Sequence, residues 1–163
     1  MAQRIMTALE ERLARVQEAV AEAALRAGRS PRDITIVAVT KTVGRAAVHD
    51  AYALGLRHFG ENRVQDARQK FAEPLPPDAT LHLIGQLQTN KAKYAVALFD
   101  IIESVDRPSL IDELERQGAK HHKVVPILLE VNVSGEEQKA GCAPSDASSL
   151  VAHIERCPHL QLL

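Results

Sequence analysis

The stretch Ile34-Thr35-Ile36-Val37-Ala38-Val39, running into Thr40-Lys41, decides how the rest of this chain is read. It is dominated by β-branched residues and lacks polar alternation, which is the pattern of a strand buried on both faces. Strands of that kind sit in parallel sheets, where each neighbour is reached through a covering connection. The flanks agree. Upstream, Leu9, Leu13, Val16, Val20 and Ala24 recur at steps of four and three, predicting an amphipathic helix over about 5–27 with Gly28 as its stop. Downstream, Val48, Ala51 and Tyr52 predict a second helix, closed by Gly55.

The same alternation continues to the last residue. Strands are predicted at His58-Phe59 and over 81–87, 101–105, 124–133 and from 160 onward. Helices are predicted over 64–71, 91–98 and 146–156, and from Pro108, which suits a first turn, to a stop at Gly118. Pro74-Leu75-Pro76-Pro77-Asp78 is a loop, because consecutive prolines fix φ and remove donors. Strands separated by helices make the class α/β, with right-handed crossovers. No linker or low-complexity tract divides the chain, so residues 1–163 are expected to form one domain. An open doubly wound sheet and a barrel both fit this order, and a complete (β/α)8 barrel typically needs about 250 residues.

Composition narrows the function. With 163 residues, 20 Lys plus Arg against 21 Asp plus Glu and a formal charge of -1, the chain lacks the basic excess of a nucleic-acid binder. Its apolar runs are far shorter than the ~20 residues that span a bilayer, and the charged N-terminus does not read as a secretory signal. A cytoplasmic protein is expected. Cys142 and Cys157 alone make no disulfide framework. Only 3% of residues are aromatic and none is Trp, so the core must be aliphatic.

In α/β folds, functional groups gather at the carboxyl ends of the strands. Lys41 ends the first apolar run. If partly desolvated there, its amine becomes more nucleophilic and able to attack an aldehyde; a stem lying over apolar neighbours is the plainer alternative. Glu61 and Asn62 follow the second strand, as ligand contacts or as a helix-capping turn. His82, Ile84 and Gln86 share one face of the third by the period of two, and His82 there is more often a satisfied interior residue than a base. Glu61 and Glu130 have the chemistry of an acid and base pair, with nothing to fix their separation. His121-His122-Lys123 points its side chains apart and suits solvent better than metal. Arg63, Arg68, Lys91 and Lys93 read as a solvated face. There is no Walker loop, nucleophile elbow or dinucleotide turn.

Four segments in order, Val37-Ala38-Val39-Thr40-Lys41-Thr42, Phe59-Gly60-Glu61-Asn62-Arg63-Val64-Gln65, His82-Leu83-Ile84-Gly85-Gln86-Leu87-Gln88-Thr89-Asn90-Lys91, and Val131-Asn132-Val133-Ser134-Gly135-Glu136 with Lys139-Ala140-Gly141-Cys142, resemble the pyridoxal phosphate homeostasis protein family. The resemblance implies a (β/α)8 TIM-barrel domain of the alanine racemase type with an extra N-terminal helix, here stopping after about six strands. It implies Lys41 as the Schiff-base lysine for pyridoxal 5'-phosphate, Asn62 beside the cofactor and Ile84 walling the ring. It implies a monomeric carrier without turnover that serves PLP-dependent apo-enzymes; a racemase-like enzyme of the same fold is the alternative. Family members continue for roughly two further βα units, which carry the phosphate anchor, so an incomplete barrel with exposed strand edges is expected. An N-terminal helix that docks a partner, rather than packing on the barrel, is the remaining option.

Overall fold

A computed structural model describes residues 7–136 and 138–163. Helix α1 (Ala8–Arg26) opens on a capping box, in which the Thr7 side chain accepts from the Glu10 amide and the Glu10 carboxylate accepts from the Thr7 amide. Then follow β1 (Val37–Val39), α2 (Arg45–Ala53), β2 (His58–Glu61), α3 (Val64–Lys70), β3 (Thr80–Leu83), α4 (Ala92–Leu98), β4 (Ile101–Val105), α5 (Pro108–His121), β5 (Val125–Leu129), α6 (Ala147–Ile154) and β6 (Leu160–Leu162). All six strands run parallel in the order β1-β2-β3-β4-β5-β6. Sequential order with right-handed crossovers puts every connecting helix on one side, the beginning of a barrel wall. β1 and β6 are the two edges.

Strand register divides the side chains by the period of two. Phe59, Leu81, Leu83, Ile102 and Ile127 face the helices and are at most 3% exposed. They pack with Leu110, Ile111 and Leu114 of α5 and Val96 and Phe99 at α4 into one aliphatic core. The opposite face carries Val37, His58, Gly60, His82, Ile84 and Glu103, and it is partly open.

Several boundaries differ from the sequence reading, each for a physical reason. The run 34–39 forms a strand only over its last three residues, because its pairing with β2 begins at Val37 opposite His58 and leaves 34–36 extended without a ladder partner. It is not buried on both faces: Val39 registers with Gly60 on the helix-free face and is 52% exposed. β3 stops at Leu83 rather than Leu87, and Gln86 is exposed off the strand. Gly118 does not stop α5; it lies buried inside the helix, where a Cβ would come 2.8 Å from the His159 Cβ and 3.0 Å from the Lys123 carbonyl oxygen. The stop is His122, in the left-handed conformation at φ 51. β5 is shorter than expected and leaves Val124 and Val133 exposed, with one further bridge from Val131 to Cys142. α1 buries Ala24 but leaves Leu9 and Val16 exposed, so its apolar stripe packs only in part.

Candidate functional site

The carboxyl ends of β1, β2 and β3 bring the three candidate residues to one end of the sheet. Beyond β1, the Thr40 amide donates to the Gly60 carbonyl at 2.9 Å; beyond β3, the Ile84 amide donates to the Glu61 carbonyl at 2.9 Å. These bonds extend the ladder past the strands and fix Lys41, Asn62 and Ile84 at the tips of three adjacent strands. Ile84 lies on the helix-free face. A Cβ at Gly60 would meet its Cδ1 at 3.1 Å and the Val37 Cγ1 at 3.2 Å, so both side chains close over that glycine. Asn62 is half-buried and pressed from behind. At Gly85 a Cβ would sit 2.8 Å from the Asn62 Cα and closer still to its carbonyl oxygen, so a residue without a Cβ is required for this approach.

Lys41 occupies the turn between β1 and α2 and is exposed, with no hydrogen bond to any described residue. The dry strand tip expected for it is not formed, because β1 has no neighbour on its outer side to cover the mouth. What holds its base is instead a buried group. Glu61 is fully buried toward the helices, where it accepts from the Thr40 hydroxyl at 2.6 Å and from Lys70 Nζ at 2.7 Å; Lys70 also donates to the Thr40 carbonyl at 2.6 Å. Both bonds to Glu61 fall on one carboxylate oxygen, and Glu61 Oε2 is buried without a partner among the described residues. Glu61 and Lys70 thus fix Thr40, the residue preceding Lys41. Sequence reasoning missed the contact of Thr40 with Lys70, since 30 residues separate them and no motif links them.

Glu61 and Glu130 are not brought together as an acid and base. Glu61 is held by Thr40 and Lys70, while Glu130 follows β5, where burial and then the Asp106 charge push its carboxyl above the usual range. His82 proves to be a satisfied interior histidine. Its Nε2 lies 2.9 Å from His58 Nδ1 and its Nδ1 lies 2.6 Å from a Glu103 carboxylate oxygen. One tautomer set satisfies both bonds: His58 donates to His82, and His82 donates to Glu103. His121 and His122 are exposed, and the described residues contain no cluster able to hold a metal. Lys123 instead donates to the Val96 and Phe99 carbonyls at the end of α4. Cys142 and Cys157 are free and buried, and burial raises both thiols.

The loop after β5 is organised by Asn132. Its side-chain nitrogen donates to the Glu136 carbonyl at 2.9 Å, and its side-chain oxygen accepts from Ser134 and the Gly135 amide. Between the β2–α3 and β3–α4 loops lies a cleft of about 280 Å³ lined by Asn62, Arg63, Val64, Gln65, Gln86, Leu87, Gln88 and Lys91.

Consecutive parallel strands with helices on one side, and candidate groups at their carboxyl tips, define a protein of the (β/α) barrel class. Residues 8–163 match the family described as alanine racemase, N-terminal domain. A protein of Pseudomonas aeruginosa named pyridoxal phosphate homeostasis protein is 40% identical over 157 residues, covering 96% of this chain and 68% of its own. One of the same name from Aquifex aeolicus is 38% identical over 153 residues, 94% of this chain and 67% of its own. This chain therefore belongs to the alanine racemase N-terminal domain family, and within it to the pyridoxal phosphate homeostasis proteins. Among solved structures, PipY of Synechococcus elongatus with PLP bound aligns at a TM-score of 0.72 and 39% identity, over 88% of this chain and 67% of that one. An alanine racemase from Streptomyces coelicolor, 20% identical, shares the fold at a TM-score of 0.68 over 90% of this chain and 38% of its own. The alanine racemase-like barrel expected from the sequence is thereby shown.

Proposed function

We propose that this chain binds pyridoxal 5'-phosphate through Lys41, with Asn62 and Ile84 beside the ring, and serves cofactor homeostasis rather than turnover. The observation that carries the reading is the registration of those three residues at the tips of β1, β2 and β3 by the Thr40 and Ile84 amides. The residues fit the group. Lys41 offers an unpaired amine at an open mouth, Ile84 an apolar wall and Asn62 an amide. The cofactor supplies an aldehyde, with which a primary amine condenses reversibly and releases water. The protein's part is to hold the turn of Lys41 through the Glu61–Lys70 pair and to shape the floor with Gly60. Support also comes from the names of the relatives and from the PLP-bound PipY structure.

A carrier role fits the placement of the two tyrosines better than a racemase does. Tyr52 on α2 donates to Asp78 at 2.5 Å in the loop preceding β3, and Tyr94 on α4 lies between Arg68 and Lys93. Both stand on helices, and Tyr52 is taken up by Asp78. The proposal extends to one domain over residues 1–163, monomeric and cytoplasmic, that hands the cofactor to PLP-dependent apo-enzymes. Among the described residues, no helix is long and apolar enough to cross a membrane. Incubation with pyridoxal 5'-phosphate, borohydride reduction and peptide mapping test the core of it. The expected label is on Lys41 and is lost in Lys41→Ala. A label elsewhere, or none on Lys41, overturns the reading, and measurable α-proton exchange of an amino acid restores the enzyme.

A further inference from the structure

We propose that the cleft between the β2–α3 and β3–α4 loops is a binding site for a small phosphate monoester, held by charge and hydrogen bonds without covalent attachment. It abuts the proposed cofactor position through Asn62 but does not depend on the chemistry of Lys41.

The walls select the ligand. Arg63 and Lys91 supply two positive charges, Asn62, Gln65, Gln86 and Gln88 supply amides, and Val64 and Leu87 form an apolar floor; among the described residues no carboxylate lines the cleft. None of the six polar side chains makes a hydrogen bond to another described residue, so their donors are free for a ligand. Cations and amide donors without an acid are complementary to an anion rich in acceptors, and an arginine fork matches phosphate oxygens two at a time. The volume of about 280 Å³ is at the lower limit of ligand pockets and suits a phosphate carrying one small ring, not a polymer.

The frame is preorganised. Gly85 packs on the Asn62 backbone, and Arg107 donates to the Leu87 carbonyl at 2.7 Å and to the Thr89 hydroxyl at 3.3 Å. Loops held in this way lower the backbone ordering cost of binding. The positive field extends beyond the cleft. Arg68 and Lys93 stand 4.4 Å and 4.6 Å from the Tyr94 ring centre, and the Tyr94 phenol is drawn below its usual range first by Lys93, then by Arg68 and Lys91. Of the cations that read in sequence as a scattered face, Arg63 and Lys91 are thus brought to one concavity, with Arg68 and Lys93 gathered at Tyr94 beyond it.

Calorimetric titration of the whole chain tests this with three probes. Pyridoxamine 5'-phosphate has no aldehyde and cannot condense with Lys41; pyridoxine lacks the phosphate; inorganic phosphate lacks the ring. Pyridoxamine 5'-phosphate should bind at least tenfold more tightly than pyridoxine, and Arg63→Gln with Lys91→Gln should weaken it at least tenfold. Arg68→Gln, outside the lining, should weaken it less than threefold. If inorganic phosphate binds as well as the ester, the source is free phosphate; if the ester is tighter, the ring is read too. Equal binding of pyridoxine, or an unaffected double variant, overturns the proposal. Amide resonances that move at 62–65 and 86–91 support it, and movement confined to other segments overturns it. Borohydride labelling of Lys41 reads a different atom, so failure here and failure of the carrier reading are separately visible.

Discussion

Phe59 and Gly60 are neighbours on β2, yet they belong to different materials. Phe59 is fully buried among aliphatic side chains under the helices, whereas Gly60 floors an open face beside His58, His82 and Glu103. The helix side is where burial of apolar area stabilises the fold, at roughly 25 cal/mol per Å². The other side is polar, partly wet and hydrogen-bonded, and the candidate ligand contacts open from it. The strand period of two thus separates stability from chemistry along every strand, and substitutions on the two faces should have different costs.

The sharpest contrast compares Phe59→Ala with Val39→Ala. Removing a ring that is 0% exposed leaves a cavity in packed surroundings, and the expected loss is about 3 to 5 kcal/mol. Val39 is 52% exposed on the edge strand, so its truncation should stay within about 0.5 kcal/mol. Urea unfolding of both variants checks the difference. Equal losses would mean that the open face is packed in solution, and the division between the faces would fail.

Next in size is Lys70→Ala. It removes the cation that pairs with the buried Glu61 and the donor that holds the Thr40 carbonyl. Leaving a buried carboxylate without its partner costs about 3 kcal/mol or more, partly relieved if the carboxyl takes up a proton. Because Thr40 precedes Lys41, borohydride labelling of Lys41 should also fall below wild type at equal cofactor. Lost stability with undiminished labelling would show that the pair holds the core and not the site.

The helix face was legible in the sequence because its signal is local. The β-branched runs and helical periods located all six strands and the helices between them, and the 101–105 strand matched to the residue. What escaped depends on contacts distant in sequence. Whether 34–39 is covered depends on which strand lies beside it, and Gly118 is explained by His159 rather than by its own helix. The site was legible only as a motif. Spacing placed Lys41 and Asn62 just past two strand ends and Ile84 on one face within the third strand, but the Glu61–Lys70 support and the approach of Arg63 to Lys91 across one cleft are products of the fold.

The smallest expected effect tests the polar face alone. Burial, and secondarily the neighbouring His82, hold the His58 imidazole below the ordinary histidine range. The unfolded chain therefore takes up a proton at this residue at a higher pH than the folded protein does. Stability from this group is full above about pH 6.5, the unfolded value, and declines as the pH falls toward the lowered folded value. His58→Gln removes the titration, so its stability should fall less than that of wild type between about pH 7.5 and pH 5.5. Thermal midpoints across that range read the slope directly. Parallel slopes for the two proteins would place His58 in water rather than against His82, and the open face would then lack the ordered hydrogen-bond chain that distinguishes it from the aliphatic one.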